Sequence, residues 1–183
     1  MTEYEELCEK QLTCEEEFKG KVLHVTLDTV KLPNGNSATR EVVRHIGAVC
    51  VVPVDDEGNV VMERQFRYPI DSVISEIPAG KLDDPAEDRL SAAKRELREE
   101  TGYTADEWTD LGIYHPAPAY SDEKITIYLA KGLHKGERSL DEDEFLNVEL
   151  VPLKKLADDV VSGKITDGKT QVAILKAARI LGV

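Results

Sequence analysis

The chain has 183 residues, a length that suits one domain, or one domain with a small appendage, and that can bury a core without disulfides or a structural metal. Hydrophobic residues make up 41% of it and charged residues 32%, which is typical of soluble globular proteins, and no apolar run approaches the roughly 20 residues of a membrane span. The 36 acidic residues outnumber the 23 basic ones, and the net charge of −13 argues against general binding to a nucleic-acid backbone. A small phosphorylated substrate would need accompanying metal cations or a local patch of Arg and Lys.

The N-terminus and the cysteines give a prediction of the cellular compartment. The first six residues are acidic and lack the basic-then-apolar order of a signal peptide. The three cysteines, Cys8, Cys14 and Cys50, form no CxxC pair and no Cys/His spacing of a metal site. These features predict a reduced, cytoplasmic location and no membrane partner.

The first 47 residues predict an outlying β segment. Residues 18–30 alternate apolar and polar side chains, as one half-buried strand does, and residues 37–45 predict a second strand. Between them, Asn34-Gly35 suits a tight turn because both residue types tolerate a positive φ. The sequence therefore predicts a β-rich N-terminal extension over residues 1–45 and a main domain over residues 46–183.

The main domain alternates dense apolar runs with helical periodicity. Residues 46–54 and 60–68 predict strands on either side of a turn, and the density of apolar residues indicates burial on both faces. Helical spacing begins near Pro85 or Ala86 and stops at Gly102, as a C-cap glycine does. Later elements are predicted as strands at 110–114, 125–130 and 147–151, and as helices from Pro152 and over 170–181. The order predicts an α+β fold, a mixed sheet with helices on its faces.

The predicted helix before Gly102 carries the most informative pattern. Glu96, Glu99 and Glu100 stand at i, i+3 and i+4, so a helix brings three carboxylates to one side, where they repel one another unless a cation is present. Hard divalent ions such as Mg²⁺ take oxygen ligands and commonly retain substrate phosphates. A run of Glu and Arg alone is more often a solvated helix face. The upstream Gly80 favours a site, because glycine lets the backbone approach closely.

The whole stretch resembles the signature of the Nudix hydrolases. That signature runs Gly, five residues, Glu, seven residues, and Arg-Glu-aliphatic-x-Glu-Glu-x-Gly-aliphatic. This chain has Gly80, six residues, Glu87, seven residues, and then Arg95-Glu96-Leu97-Arg98-Glu99-Glu100-Thr101-Gly102-Tyr103. The loop is one residue longer than in the signature, and Tyr103 replaces the last aliphatic residue. The resemblance implies an α/β/α Nudix sandwich with a mixed sheet, preceded here by the β-rich extension.

Segments outside this box resemble the ADP-ribose pyrophosphatase branch of the Nudix hydrolases. They are residues 65–69, residues 76–81, the turn at 118–123 and the acidic stretch at 141–144. The resemblance implies metal-dependent hydrolysis of the pyrophosphate bond of ADP-ribose, or of a related ADP-sugar, to AMP and ribose 5-phosphate. Mg²⁺ is the implied cofactor, with Mn²⁺ as an alternative, and the implied partner is a small nucleotide-sugar.

The same resemblance implies a metal-binding and catalytic set. Its metal ligands are Glu96, Glu100, the backbone carbonyl of Ala79 and, from the acidic stretch, Glu144. Glu142 is the implied catalytic base, and Glu99 is implied as a further ligand or base. The acidic stretch taken alone is more typical of a solvated turn than of a catalytic loop.

Substrate recognition is expected from Arg67, Glu76, Ala79 and Pro118. The planar fork of Arg67 suits phosphate or ribose oxygens, and Glu76 can accept hydrogen bonds from adenine or ribose. Alternatively, Arg67 simply pairs with Glu76 as part of the structure. Arg95 has two interpretations as well, because it either orients the carboxylates of the box or forms a surface ion pair on its helix.

The resemblance further implies a homodimer with C₂ symmetry, in which the N-terminal extension packs across the two-fold axis and helps to complete the substrate pocket. Two other functions remain open: hydrolysis of another nucleoside diphosphate derivative, and nucleotide sensing by a non-catalytic Nudix-type protein. The three carboxylates argue against the sensor, because a binding module does not need mutually repelling groups.

Overall fold

The computed structural model of the chain describes residues 4–140 and 145–183. Its contacts divide the chain into two compact units: Met1–Ile46 with His115–Glu123, and Gly47–Tyr114 with Lys124–Val183. Within the described residues, no helix is both long enough and apolar enough to cross a membrane.

The first unit contains an antiparallel sheet in the order β1-β2-β3. Its strands are β1 (Lys10–Lys19), β2 (His24–Lys31) and β3 (Ser37–Arg44). The predicted turn at Asn34-Gly35 is confirmed, with Gly35 at φ 87°. The single strand predicted over residues 18–30 is wrong, because the amide of Gly20 donates to the carbonyl of Leu23 at 2.8 Å and closes a turn between β1 and β2.

Strand β1 is exposed along all ten of its residues. Leu12 and Phe18 are among its exposed side chains, each with more than half of its surface accessible. At the other edge of this sheet, residues 115–123 join β3, where the amide of Val43 donates to the carbonyl of Tyr120 at 2.8 Å. The sheet therefore has one covered edge and one uncovered strand within its own unit.

The second unit contains two sheets and three helices. In chain order its elements are β4 (Ala48–Pro53), β5 (Asn59–Arg67), β6 (Ser72–Glu76), β7 (Ala79–Lys81), α1 (Arg89–Thr101), β8 (Tyr103–Tyr114), β9 (Ile125–Lys135), β10 (Leu146–Pro152), α2 (Leu153–Val161) and α3 (Gly168–Leu181). A mixed four-stranded sheet has the order β7-β4-β9-β8, with β4 and β9 parallel, and an antiparallel sheet has the order β10-β5-β6.

Strand β4 lies in the middle of the core, and all six of its residues are buried. Cys50 and Val52 belong to one apolar cluster with residues of α3 such as Ile174. Val49 and Val51 point to the opposite face by strand alternation, are equally buried, and lie where α1 contacts the sheet. The predicted α+β fold, with a mixed sheet and helices on its faces, is confirmed.

Several element boundaries differ from the predicted ones. Helix α1 begins at Arg89, not near Pro85, because the Asp88 side chain caps it by accepting from the amide of Ser91 at 2.8 Å. Its predicted end is confirmed, with Gly102 in the left-handed conformation at φ 77°. Strands β6 and β7 were not predicted, since both are short.

Candidate active site

The acidic side chains of α1 are not equivalent. Glu96 and Glu100, one turn apart, are both buried, whereas the side chain of Glu99 is 32% exposed. Helix α1 packs on β4 and β7, so its inner face carries the two buried carboxylates towards the end of β7. Burying a carboxylate is costly unless it has compensating partners. The groups that contact Glu96 and Glu100 therefore determine whether this face of α1 can bind a cation.

Arg95 connects the carboxylates of the box. Its Nη1 donates to Oε1 of Glu96 at 2.7 Å and to Oε2 of Glu99 at 3.3 Å, while its Nε lies 3.3 Å from a carboxylate oxygen of Asp83 and 3.4 Å from one of Glu87. Burial opposes the charge of Arg95, but these carboxylates raise its pKa above the ordinary value. The contacts favour the interpretation that Arg95 orients the carboxylates over that of a solvated surface pair.

Glu87 reaches this cluster despite the longer loop. Its Oε2 accepts from the amide of Asp83 at 2.8 Å, and this hydrogen bond, with the guanidinium of Arg95, holds the pKa of Glu87 below its ordinary value. The extra residue is therefore accommodated in the turn before α1.

The backbone of β7 lies directly against the buried carboxylates. The amide of Ala79 donates to Oε2 of Glu100 at 2.9 Å. A Cβ atom built on Gly80 would lie only 2.0 Å from the carboxyl carbon of Glu96, so the carboxylate fills the space that any other residue would need. A larger residue at position 80 would therefore force the Glu96 carboxylate to shift, and glycine permits this close approach. The predicted role of the Ala79 carbonyl as a metal ligand stays a prediction, since the observed contact is through the amide.

Arg67 and Glu76 form a two-pronged ion pair. Nε of Arg67 donates to Oε1 of Glu76 at 2.6 Å, and Nη2 donates to Oε2 at 3.0 Å. The side chain of Glu76 is 4% exposed and that of Arg67 is 43% exposed. The structural interpretation of this pair therefore describes the observed geometry, and the predicted contacts of both residues with substrate stay predictions. Arg67 also lies within electrostatic range of Glu100.

A third member of this group, Lys169, was not predicted from the sequence. Its Nζ donates to Oε2 of Glu76 and, at 3.0 Å, to Oδ2 of Asp167, the residue that caps α3. Ninety-three positions separate Lys169 from Glu76, so no local spacing reveals the pair. The one available signal is Asp167, an N-cap residue type just before a helix, and the predicted start at Thr170 overlooked it.

The remaining predicted residues lie elsewhere. Pro118 belongs to the first unit, in a turn closed by the amide of Ser121 donating to the carbonyl of Ala117 at 2.9 Å. Glu142 and Glu144 lie outside the described residues. The functional roles of these three residues stay predictions.

Comparisons with known proteins identify the family of the chain. A family profile described as the NUDIX domain matches residues 43–169. The chain belongs to the Nudix family. It is 44% identical over 168 residues to the ADP-ribose pyrophosphatase of Bacillus subtilis (strain 168). It is 41% identical over 168 residues to the methanol dehydrogenase activator of Bacillus methanolicus. Each of these matches covers 91% of this chain and 90% of the relative. The crystal structure of an ADP compounds hydrolase matches with a TM-score of 0.84 at 26% identity, covering 95% of this chain and 94% of that one.

Nudix ADP-ribose pyrophosphatases generally use divalent metal ions. The residues of this chain fit such an ion in donor chemistry, because Glu96 and Glu100 supply hard oxygen atoms on one helix face, Glu96 beside Gly80 and Glu100 beside the amide of Ala79. Over residues 4–140 and 145–183, no three acidic, histidine or cysteine side chains are already arranged as a metal cluster. This agrees with the hydrogen bond from Arg95 to Glu96, which uses an oxygen that a cation would need.

The ion pairs of Glu76 predict a pH-dependent contribution to stability. Burial alone would raise its pKa, but Arg67 and Lys169 lower it below the ordinary value of 4.5. The ionised group therefore stabilises the fold above the unfolded-state pKa of about 4.3, and this contribution is lost as the pH falls through the lower folded-state pKa. We expect Glu76→Gln to lower the free energy of unfolding at pH 7 by about 3 kcal/mol, and by much less near pH 3.

Urea unfolding at the two pH values measures this difference. Glu107→Gln, at an exposed position of β8, is the matched control and should change neither value. A loss in Glu76→Gln of the same size at both pH values would contradict the prediction.

Proposed function

We propose that the chain hydrolyses the pyrophosphate bond of ADP-ribose, or of a related ADP-sugar, to AMP and ribose 5-phosphate, with Mg²⁺ as cofactor and Mn²⁺ as an alternative. The observation that carries the proposal is the burial of two carboxylates against β7: Glu96 lies against the backbone of Gly80, and Glu100 accepts from the amide of Ala79. The 44% identity to the ADP-ribose pyrophosphatase of Bacillus subtilis supports the choice of substrate.

The residues of α1 and β7 would hold the metal. Glu96 and Glu100 are the proposed ligands, with the carbonyl of Ala79 and, from the acidic stretch, Glu144 as further ones. Glu99 is proposed as an additional ligand or base. A bound divalent ion neutralises diphosphate oxygens and lowers the pKa of a coordinated water. Arg95 fixes the carboxylate of Glu96, and the amide of Ala79 fixes that of Glu100, so both oxygens are oriented before substrate arrives.

Substrate binding requires positive charge on a chain whose net charge is −13. Arg67 is the proposed group for a phosphate oxygen, since its guanidinium is partly exposed and planar. Glu76, Ala79 and Pro118 are proposed to complete the substrate contacts. The absence of nucleic-acid partners is proposed on the net charge of −13. A cytoplasmic location without a membrane partner is proposed on the free thiols of Cys8, Cys14 and Cys50.

A substrate panel with Mg²⁺ tests this function. Release of phosphate monoester would be measured from ADP-ribose, other ADP-sugars and nucleoside triphosphates, with excess chelator as the control. We expect kcat/KM to be highest for ADP-ribose or another ADP-sugar, and turnover to stop with chelator. A nucleoside triphosphate as the best substrate would favour hydrolysis of another nucleotide, and tight binding of ADP-ribose without turnover would favour the sensor.

The similarity to the methanol dehydrogenase activator of Bacillus methanolicus favours a second candidate function, which is activation of a dehydrogenase. The test is the rate of a bacterial methanol dehydrogenase with and without this chain. Adding the Glu100→Gln variant instead shows whether any activation needs the hydrolytic site.

The acidic stretch at 141–144 carries the prediction about the catalytic base. We expect Glu142→Gln to lower kcat by roughly 100-fold or more with little change in KM, because a group that acts only in the transition state contributes nothing to ground-state binding. Glu144→Gln, the matched neighbour, should weaken the response to Mg²⁺. Steady-state kinetics over a Mg²⁺ titration separates the two, and the reverse pattern would exchange their roles.

The domain arrangement carries a prediction about assembly. We propose residues 1–45 as a dimerisation segment and residues 46–183 as the Nudix hydrolase domain, with the chain forming a C₂ homodimer. The support is β1, an edge strand whose exposed residues include the apolar Leu12 and Phe18, since an exposed edge strand is available to pair with another chain. Sedimentation at micromolar protein should give a dimer. A protein lacking residues 1–40 that stayed monomeric, monodisperse and fully active would contradict both the segment's role and the shared pocket.

A further inference from the structure

Glu76 is held by two cations that differ in exposure. Arg67 contacts both carboxylate oxygens and is 43% exposed, whereas Lys169 contacts Oε2 and is 12% exposed. Glu76 itself is buried. One carboxylate thus has an outer partner, which is partly open to solvent, and an inner partner, which is mostly buried.

The inner partner is fixed from a second side. Nζ of Lys169 also donates to Asp167 at 3.0 Å, and the same carboxylate accepts from the amide of Thr170 at 2.9 Å and from its hydroxyl at 2.6 Å. The hydroxyl of Thr170 in turn accepts from the amide of Ile77 at 3.1 Å. The first turn of α3 is therefore tied to the residue that follows Glu76, and Lys169 is held beside Glu76 by contacts that do not involve Arg67.

The consequence concerns what happens when Arg67 binds an anion. A buried carboxylate that loses its only counter-ion is strongly destabilised. With Arg67 as its sole partner, Glu76 would compete with any phosphate for the guanidinium. With Lys169 in place, Glu76 keeps a counter-ion when Arg67 leaves, and the guanidinium is free to form the two-pronged bond that it makes well with phosphate oxygens.

We propose that Lys169 is a positioning residue, the permanent counter-ion of Glu76 that allows Arg67 to turn from Glu76 to the diphosphate of the substrate. This inference rests on the proposed function, in which Arg67 contacts a phosphate oxygen. A purely structural Lys169 would stabilise the fold without changing the affinity for substrate.

The test is a mutant cycle on KM for ADP-ribose with saturating Mg²⁺. Lys169→Met should raise KM by about tenfold or more with kcat nearly unchanged, within the range by which contacting charged groups couple. Lys169→Arg, which retains the charge, should stay close to wild type. Lys164→Met, an exposed lysine paired with Asp159, is the control and should leave KM unchanged.

The decisive comparison uses a background in which Glu76 is neutral. Once Glu76 is glutamine, Arg67 no longer needs to be released, so adding Lys169→Met to Glu76→Gln should leave KM within about twofold. An unchanged KM in Lys169→Met, or an equal increase in both backgrounds, would overturn the inference. Should Lys169→Met alone fail to fold, an increase in KM on adding Lys169→Met to Glu76→Gln would still overturn the inference, and Lys169→Gln replaces Lys169→Met in the wild-type background.

A second measurement is independent of turnover. The ¹⁵N-labelled guanidinium of Arg67 should shift on addition of inorganic pyrophosphate in wild type and not in Lys169→Met; equal shifts in the two proteins would refute the role of Lys169. If the wild-type protein does not hydrolyse ADP-ribose, the proposed function is wrong. The pyrophosphate titration then still tests the role of Lys169, because it does not depend on hydrolysis.

Discussion

Replacing Glu100 by glutamine is expected to abolish hydrolysis of ADP-ribose while leaving the fold intact. The glutamine oxygen can still accept from the amide of Ala79, which is the observed contact at 2.9 Å. The lost feature is the negative charge that a divalent cation needs, and one fewer charge relieves repulsion along α1. Because changes to outer-shell partners of a metal already cost about 10–100-fold, we expect kcat to fall by more than about 100-fold.

Turnover of ADP-ribose and thermal unfolding by circular dichroism measure the two halves of this expectation. Glu96→Gln should behave as Glu100→Gln does, and Glu107→Gln, exposed on β8, should behave as wild type. Excess chelator should reproduce the loss in the unmutated protein. Activity that survives either glutamine variant, or the chelator, would refute the metal site on α1.

Gly80→Ala is expected to reduce hydrolysis of ADP-ribose nearly as much as Glu100→Gln does, although it adds only one methyl group. That methyl would lie 2.0 Å from the carboxyl carbon and 2.1 Å from Oε1 of Glu96, far inside van der Waals contact. The carboxylate is buried and held by Arg95 at 2.7 Å, so it must shift together with its partner. We expect a loss of about 1–3 kcal/mol of stability from overpacking and a fall in kcat of more than about 100-fold from the displaced ligand.

Gly136→Ala is the matched control for this substitution. A Cβ atom at position 136 meets only the carbonyl of Gly102 at 3.2 Å, a contact that a small shift relieves. Binding of Mn²⁺ by calorimetry separates the effects, because Gly80→Ala should weaken it and Gly136→Ala should not. Wild-type Mn²⁺ affinity in Gly80→Ala would show that Glu96 has no part in metal binding.

Local patterns in the sequence were enough to predict much of the second unit. The end of α1 at Gly102 follows from helical spacing and a glycine, and the buried β4 follows from its apolar run. The start of α1 was missed because Pro85 and Ala86 are compatible with a helix, whereas the hydrogen bond from Ser91 to Asp88 sets the boundary. Strand β1 was missed as well, because all ten of its residues are exposed and the run Glu15–Glu17 interrupts its few apolar side chains.

In the candidate site, too, some features follow from the local sequence and others depend on the fold. The spacing of Glu96 and Glu100 on one helix face could be read from the sequence because it is local. The difference in exposure between these two residues and Glu99 could not, since it depends on where β7 packs. The contact of Glu76 with Lys169 joins β6 to α3 across 93 positions, and only the fold brings the two together.

Chemical modification of the Cys50 thiol can report the local opening of the sheet at β4. Its side chain is fully buried in β4, opposite Ala79 of β7, and burial raises the pKa of its thiol to about 12. A thiol reagent can therefore modify Cys50 only when the sheet separates, whereas the exposed Cys8 and Cys14 are accessible in the folded protein. The labelling rate at Cys50 thus measures the free energy of opening at the strand pair β4–β7, which includes Ala79 and Gly80.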